Sequence, residues 1–143
     1  MLIRWINTPK LSICFFLIVF GCSSPEKKQT GDSLEKGAVV LAPQDFKSEL
    51  LSSSNAVLVD VRKPEELPEG VIAGAINLDF TDSAFTTKIS ELDKEKTYFV
   101  YCKSGKRSAD AVKQMEEAGF EHIYTLEGGL KNWVDQGLET VKP

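Results

Sequence analysis

An α/β domain with a mainly parallel central sheet and helices on both faces is what this sequence predicts, on three observations. Short β-branched or aromatic runs alternate along the chain with segments of helical spacing. One run, Val57-Leu58-Val59, is apolar at every position, as suits a strand covered on both faces. The stretch 39–143 is long enough for one small core, and no internal repeat divides it.

A leader precedes that domain. Arg4 and Lys10 are the only charges in residues 1–21, and Leu11 to Phe20 form an unbroken, largely apolar run. The run is short for a membrane span and suits the core of a secretory signal. Val19-Phe20-Gly21-Cys22 resembles a bacterial lipobox with Cys22 as the lipidated residue; an uncleaved N-terminal anchor is the alternative. Either arrangement tethers the chain to a membrane in the cell envelope. Ser23 after Cys22 favours the outer membrane, with the domain facing the periplasm. Residues 22–38 are rich in Ser, Pro, Glu, Lys, Gln, Thr and Gly, bury too little to offset their ordering entropy, and read as a flexible linker.

Within the domain, Val39-Val40-Leu41 is a first short strand. Pro43 suits the first turn of a helix over Gln44 to Leu51, with Phe46 and Leu50 on one face. Val57 to Val59 follows as a central strand and Ala75 to Leu78 as another, before a helix around Ala84 to Leu92. Thr97-Tyr98-Phe99-Val100-Tyr101 reads as a buried strand, and Ala109 to Ala118 as a helix that stops at Gly119. Ile123 to Leu126 is the last strand. Leu130 to Gln136 is a closing helix that Trp133 packs onto the sheet.

Between the Thr97–Tyr101 strand and the helix after it lies Cys102-Lys103-Ser104-Gly105-Lys106-Arg107-Ser108. Ligands of such sheets gather beyond the carboxyl ends of the strands. The helix start offers unpaired N–H groups and a positive dipole end, and Gly105 lets the loop curl into an anion-binding concavity. These surroundings favour a Cys102 thiolate, while Lys103, Lys106 and Arg107 suit the oxygens of an anionic substrate. The chain as a whole carries a net charge of −4, and loss of the leader would remove two cations more. An acidic body argues against nucleic acid as a partner and makes the cationic loop a local exception.

The loop resembles the active-site loop of the rhodanese (sulfurtransferase) family. Leu58-Val59-Asp60-Val61-Arg62-Lys63-Pro64-Glu65-Glu66 is similar to that family's first landmark, and Gly70-Val71-Ile72-Ala73-Gly74-Ala75-Ile76-Asn77 to its second. Family members usually have His where Val71 stands and often Pro where Ala73 stands. Leu126-Glu127-Gly128-Gly129-Leu130-Lys131-Asn132-Trp133, followed by Gly137-Leu138, resembles the closing landmark. Four landmarks in order span nearly all of the domain. The resemblance implies a rhodanese-like fold in a single domain, and Cys102 as a catalytic nucleophile that carries sulfur as a persulfide. It implies donor binding by Lys103, Ser104, Gly105, Lys106 and Arg107, with Asp60 and Arg62 bracing the fold. Family members that use mercaptopyruvate tend to have an uncharged loop, so this one suits thiosulfate or another anionic donor, with cyanide or a thiol as acceptor.

Of three cysteines, Cys14 lies in the leader and Cys22 is taken by lipid, which leaves Cys102 as the sole, partly exposed thiol of the domain. It has no partner for a disulfide or a dithiol cycle. One cysteine and one histidine fall short of a zinc shell, and no metal or cofactor is expected. His122 reads as a surface residue rather than a base. Two rivals to the sulfurtransferase stand. A persulfide carrier docked to a redox protein would load Cys102 without turning over. A cysteine-loop phosphatase would place five residues between Cys and Arg to seat a phosphoryl group, whereas four separate Cys102 from Arg107.

Overall fold

The computed structural model describes residues 37–143. The leader with Cys14, the lipidation candidate Cys22 and most of the linker lie outside the described residues. Among the described residues five strands and four α-helices follow in the order β1 (Val39–Leu41), α1 (Pro43–Ser52), β2 (Ala56–Asp60), β3 (Ile76–Asn77), α2 (Phe85–Ser90), β4 (Thr97–Tyr101), α3 (Lys106–Glu117), β5 (Ile123–Leu126) and α4 (Gly129–Asp135). A 3-10 helix, Pro64–Glu69, follows β2. The strand order is β1-β5-β4-β2-β3 and every pairing is parallel. No helix among the described residues is long and apolar enough to cross a membrane.

Alternation along β4 divides the core in two, because successive strand side chains point to opposite faces. Tyr98, Val100 and Cys102 pack with Phe85 and Ile89 of α2 and with Val112 and Met115 of α3. Phe99 and Tyr101 pack on the other face with Phe46 of α1 and with Leu130 and Trp133 of α4. The arrangement follows from right-handed crossovers: the chain moves one way across the sheet from β1 to β2 and the other way from β3 to β5. Phe46 joins the second layer edge-on to Phe99 (ring centroids 5.3 Å apart) and to Trp133 (6.4 Å). Pairs of this kind add about 0.5–1.5 kcal/mol each beyond area burial.

The expected order of elements is met, with three local differences. β3 is two residues long rather than four, an edge strand whose Asn77 amide is spent on the carbonyls of Asp60 (2.9 Å) and Arg62 (2.8 Å). α3 begins at Lys106, three residues earlier than the apolar spacing suggests, because Gly105 at φ 90° turns the chain straight into the helix. His122 is half-buried rather than on the surface, and its Nδ1 has no hydrogen-bond partner among the described residues.

Candidate active site

Cys102 follows the last residue of β4, the strand flanked on both sides by β2 and β5. Its side chain is fully buried, which corrects the expectation of a partly exposed thiol. Cys102 takes the inward position that Tyr98 and Val100 take before it, so the strand's own alternation draws the sulfur under the loop. The Gly105 N–H donates to Cys102 Sγ at 3.1 Å, and the Ser108 hydroxyl donates to the Gly105 carbonyl at 3.0 Å. Beyond Gly105, the first turn of α3 leaves amide N–H groups without carbonyl partners, at the positive end of the helix.

The outer side of the loop is held by α4. Leu130 N–H donates to the Cys102 carbonyl (2.8 Å) and Lys131 N–H to the Lys103 carbonyl (3.0 Å). A trans peptide points its N–H opposite its C=O, so these anchors turn the N–H groups of Lys103 and Ser104 away from α4. Close approach requires glycine. A Cβ on Gly129, which sits at φ +63°, would stand 2.5 Å from the Cys102 carbonyl oxygen and 2.8 Å from the Gly105 nitrogen.

The three loop cations have different surroundings. Arg107 forms a two-pronged ion pair with Glu66, Nη1 to Oε2 at 2.5 Å and Nη2 to Oε1 at 2.8 Å. Those bonds pull the Glu66 carboxyl down to about 2, against burial and with help from the Lys63 N–H. The same bonds raise the Arg107 guanidinium above its ordinary value, and the field of Cys102 adds a smaller push. Lys103 Nζ reaches both oxygens of Glu69 at 3.2 and 3.0 Å, in an exposed pair worth about 0–1 kcal/mol. Lys106 is exposed and has no ion pair among the described residues. Of the three cations expected to meet donor oxygens, two are thus paired with carboxylates and Lys106 is not, among the described residues. Both carboxylates come from the 3-10 helix, folded against the loop.

Asp60 and Arg62 explain that placement. Arg62 Nε donates to both Asp60 oxygens (3.0 and 2.9 Å) and Nη2 to Oδ2 (2.7 Å), with both side chains fully buried. The guanidinium also reaches the carbonyls of Glu66 (3.2 Å) and Gly70 (2.8 Å), tying the middle and the C-terminal end of the 3-10 segment to the end of β2. Removing one member of a buried pair of this kind costs about 3–5 kcal/mol. Ser104 is exposed, and its hydroxyl makes no hydrogen bond among the described residues; the loop's hydroxyl contact comes from Ser108. Beside the Lys103–Glu69 pair runs an open groove floored by Leu130 and Val134 and edged by Lys131 and Thr140. No group of three His, Cys, Asp or Glu side chains among the described residues is placed to hold a metal.

The rhodanese-like domain model matches residues 42–136, a span that includes the Cys102 loop, the acidic 3-10 helix and the start of α4. The chain belongs to the rhodanese-like domain family. A sulfurtransferase of Allochromatium vinosum is 30% identical over 100 residues, covering 70% of this chain and 92% of the relative. A thiosulfate sulfurtransferase of Coxiella burnetii is 36% identical over 86 residues, covering 59% of this chain and 78% of the relative. Among solved structures, a rhodanese-related protein of Thermoplasma volcanium superposes with a TM-score of 0.65 at 31% identity, over 73% of this chain and 99% of that one. The five-stranded parallel sheet with flanking helices is the rhodanese-like fold.

The rhodanese-like site holds several residues that sequence reasoning did not single out. Glu66 and Glu69 were legible only as acids next to the Asp60-Val61-Arg62 landmark, although acids clustered in a chain with a cationic loop are a usable pairing signal. Ser108 and the Gly128-Gly129 pair support the loop through backbone geometry, which residue type alone does not announce. Val71, where the resemblance leads one to expect His, is buried and bridges Val141 through two backbone bonds of 2.9 and 2.8 Å. The C-terminal tail thus covers that rim position.

Proposed function

We propose that this chain is a sulfurtransferase that moves sulfane sulfur from a small anionic donor such as thiosulfate to cyanide or a thiol, with Cys102 as carrier. The observation that supports it most is the Cys102 sulfur at the carboxyl end of β4 receiving the Gly105 N–H at 3.1 Å. An N–H aimed at sulfur stabilises charge on it, in the thiolate and again in the persulfide. In the first step the thiolate attacks the outer sulfur of thiosulfate; a Cys–S bond forms, the donor's S–S bond breaks, and sulfite leaves with the bonding pair. In the second step the acceptor attacks the outer sulfur of the persulfide, and the Cys102 thiolate departs. Lys106 draws in the donor, and the α3 terminus steadies the departing anion. Loop anchoring by α4 holds the N–H groups in place through both steps.

Purified protein should release sulfite and thiocyanate from thiosulfate and cyanide while leaving aryl phosphates untouched. Phosphate release without sulfite would reverse the reading. The rival reading, a persulfide carrier that serves a redox protein, would load sulfur but show negligible cyanide-dependent cycling. The setting we propose is a lipid anchor at Cys22 in the cell envelope. Cys22→Ala should then abolish incorporation of labelled palmitate, and labelling that persists would refute the anchor.

A further inference from the structure

The loop's positive charge is mostly cancelled before any donor arrives. Arg107 is engaged fork to fork by Glu66, and Lys103 by both oxygens of Glu69. These carboxylates do not stray in by chance. Glu66 also accepts the Lys63 N–H at 3.2 Å, and Arg62 fixes the backbone at Glu66 and just after Glu69 through the carbonyls of Glu66 and Gly70. Three cations less two carboxylates leave Lys106 as the loop's unbalanced charge among the described residues.

A donor approaching Cys102 therefore meets three cations and two carboxylates, a net of one positive charge. Each carboxylate takes away twice as much attraction from a dianion as from a monoanion, so the pairing weakens whatever advantage a dianionic donor would have before three unpaired cations. With its carboxyl held at about 2, Glu66 stays ionised at any ordinary pH, so protonation does not remove its effect.

We propose that Glu66, seconded by Glu69, tunes donor specificity at this site by weakening its attraction for dianionic sulfane donors more than for donors that carry one negative charge. The proposal rests on the reading that Cys102 takes up sulfane sulfur, and it narrows the substrate class. Glu66 acts through Arg107 and through its field, without touching the reacting sulfur. In the monoanionic case the Cys102 thiolate attacks the outer sulfur of a thiosulfonate; the S–S bond breaks, a sulfinate leaves with its electron pair, and the persulfide forms as before.

The test compares thiosulfate with methanethiosulfonate, cyanide being the acceptor, in the wild type, Glu66→Gln and Glu69→Gln. Glu66→Gln should raise the thiosulfate-to-methanethiosulfonate ratio of kcat/KM on the order of tenfold, chiefly through a lower KM for thiosulfate. Glu69→Gln, at a half-exposed and screened position, should raise it roughly twofold. A brace without electrostatic effect would slow both donors alike and leave the ratio unchanged in both variants, which overturns the proposal. Should Glu66→Gln fail to fold, the Glu69→Gln ratio decides alone, a rise supporting the proposal and an unchanged value sinking it. Wild-type protein that gains no sulfur from either donor by intact mass overturns the underlying reading as well; a loaded wild type with unmoved ratios overturns only this one.

Discussion

Replacing Gly129 by alanine should damage the site without altering any group that takes part in the chemistry. The added Cβ would lie 2.5 Å from the Cys102 carbonyl oxygen, 2.7 Å from the Lys103 carbonyl carbon and 2.8 Å from the Gly105 nitrogen. All three are backbone atoms, so no side chain can rotate out of the way. A left-handed backbone at φ +63° costs a non-glycine residue about 1–2 kcal/mol. Overpacking adds about 1–3 kcal/mol, and relief by displacement breaks the bonds from Leu130 and Lys131, each worth about 0.5–1.5 kcal/mol. The expected loss is about 3–5 kcal/mol, read from urea unfolding. Gly137 supplies the control. It too has a positive φ, +74°, but a Cβ there meets nothing within 4 Å, so Gly137→Ala should cost only about 1–2 kcal/mol. Under mild conditions where folded Gly129→Ala persists, its cyanide-dependent sulfur transfer should fall well below that of Gly137→Ala. Equal stabilities together with equal rates would refute the role given to the start of α4.

Lys106→Ala should mainly raise the KM for the donor, leaving stability level or slightly improved, since a cation at a helix N-terminus opposes the dipole; an unchanged KM would remove Lys106 from donor attraction. The Glu66–Arg107 pair predicts an acid transition: with the Glu66 carboxyl held at about 2 against an ordinary 4.5, its stabilisation is complete above about pH 4.5 and drains away as pH falls through about 2. At ~1.4 kcal/mol per unit the ceiling is about 3 kcal/mol, which solvent contact at a side chain 20% exposed reduces to about 2. Urea midpoints measured across that range should lose this component in Glu66→Gln, and superimposable pH profiles would contradict the assignment.

Much of this was readable from the chain. Val57-Leu58-Val59 and Thr97–Tyr101 announced themselves because parallel strands buried on both faces need uninterrupted apolar or aromatic residues. The same pattern placed Cys102 where a sheet of this class gathers its ligands. What stayed hidden had no periodicity to betray it. The 3-10 helix Pro64–Glu69 buries none of its residues, so no apolar stripe marks it, yet it delivers Glu66 and Glu69 to the site. The cations were visible as charges, but their partners lie 34 and 41 residues away in sequence, and nothing local pairs Arg107 with Glu66 or Lys103 with Glu69. The start of α3 at Lys106 has no apolar residue to mark it; the turn at Gly105 sets it. Burial of the thiol followed from strand alternation, although the cationic loop suggested an open one.

Sulfur uptake by a single residue can be observed directly. Thiosulfate is added to the purified protein, the excess is removed, and the intact mass is measured alongside that of Cys102→Ser. Sulfur transfer through Cys102 predicts a gain of one sulfur atom in the wild type, lost on adding cyanide and never seen in the variant. An unchanged wild-type mass, or the same gain in Cys102→Ser, would contradict it.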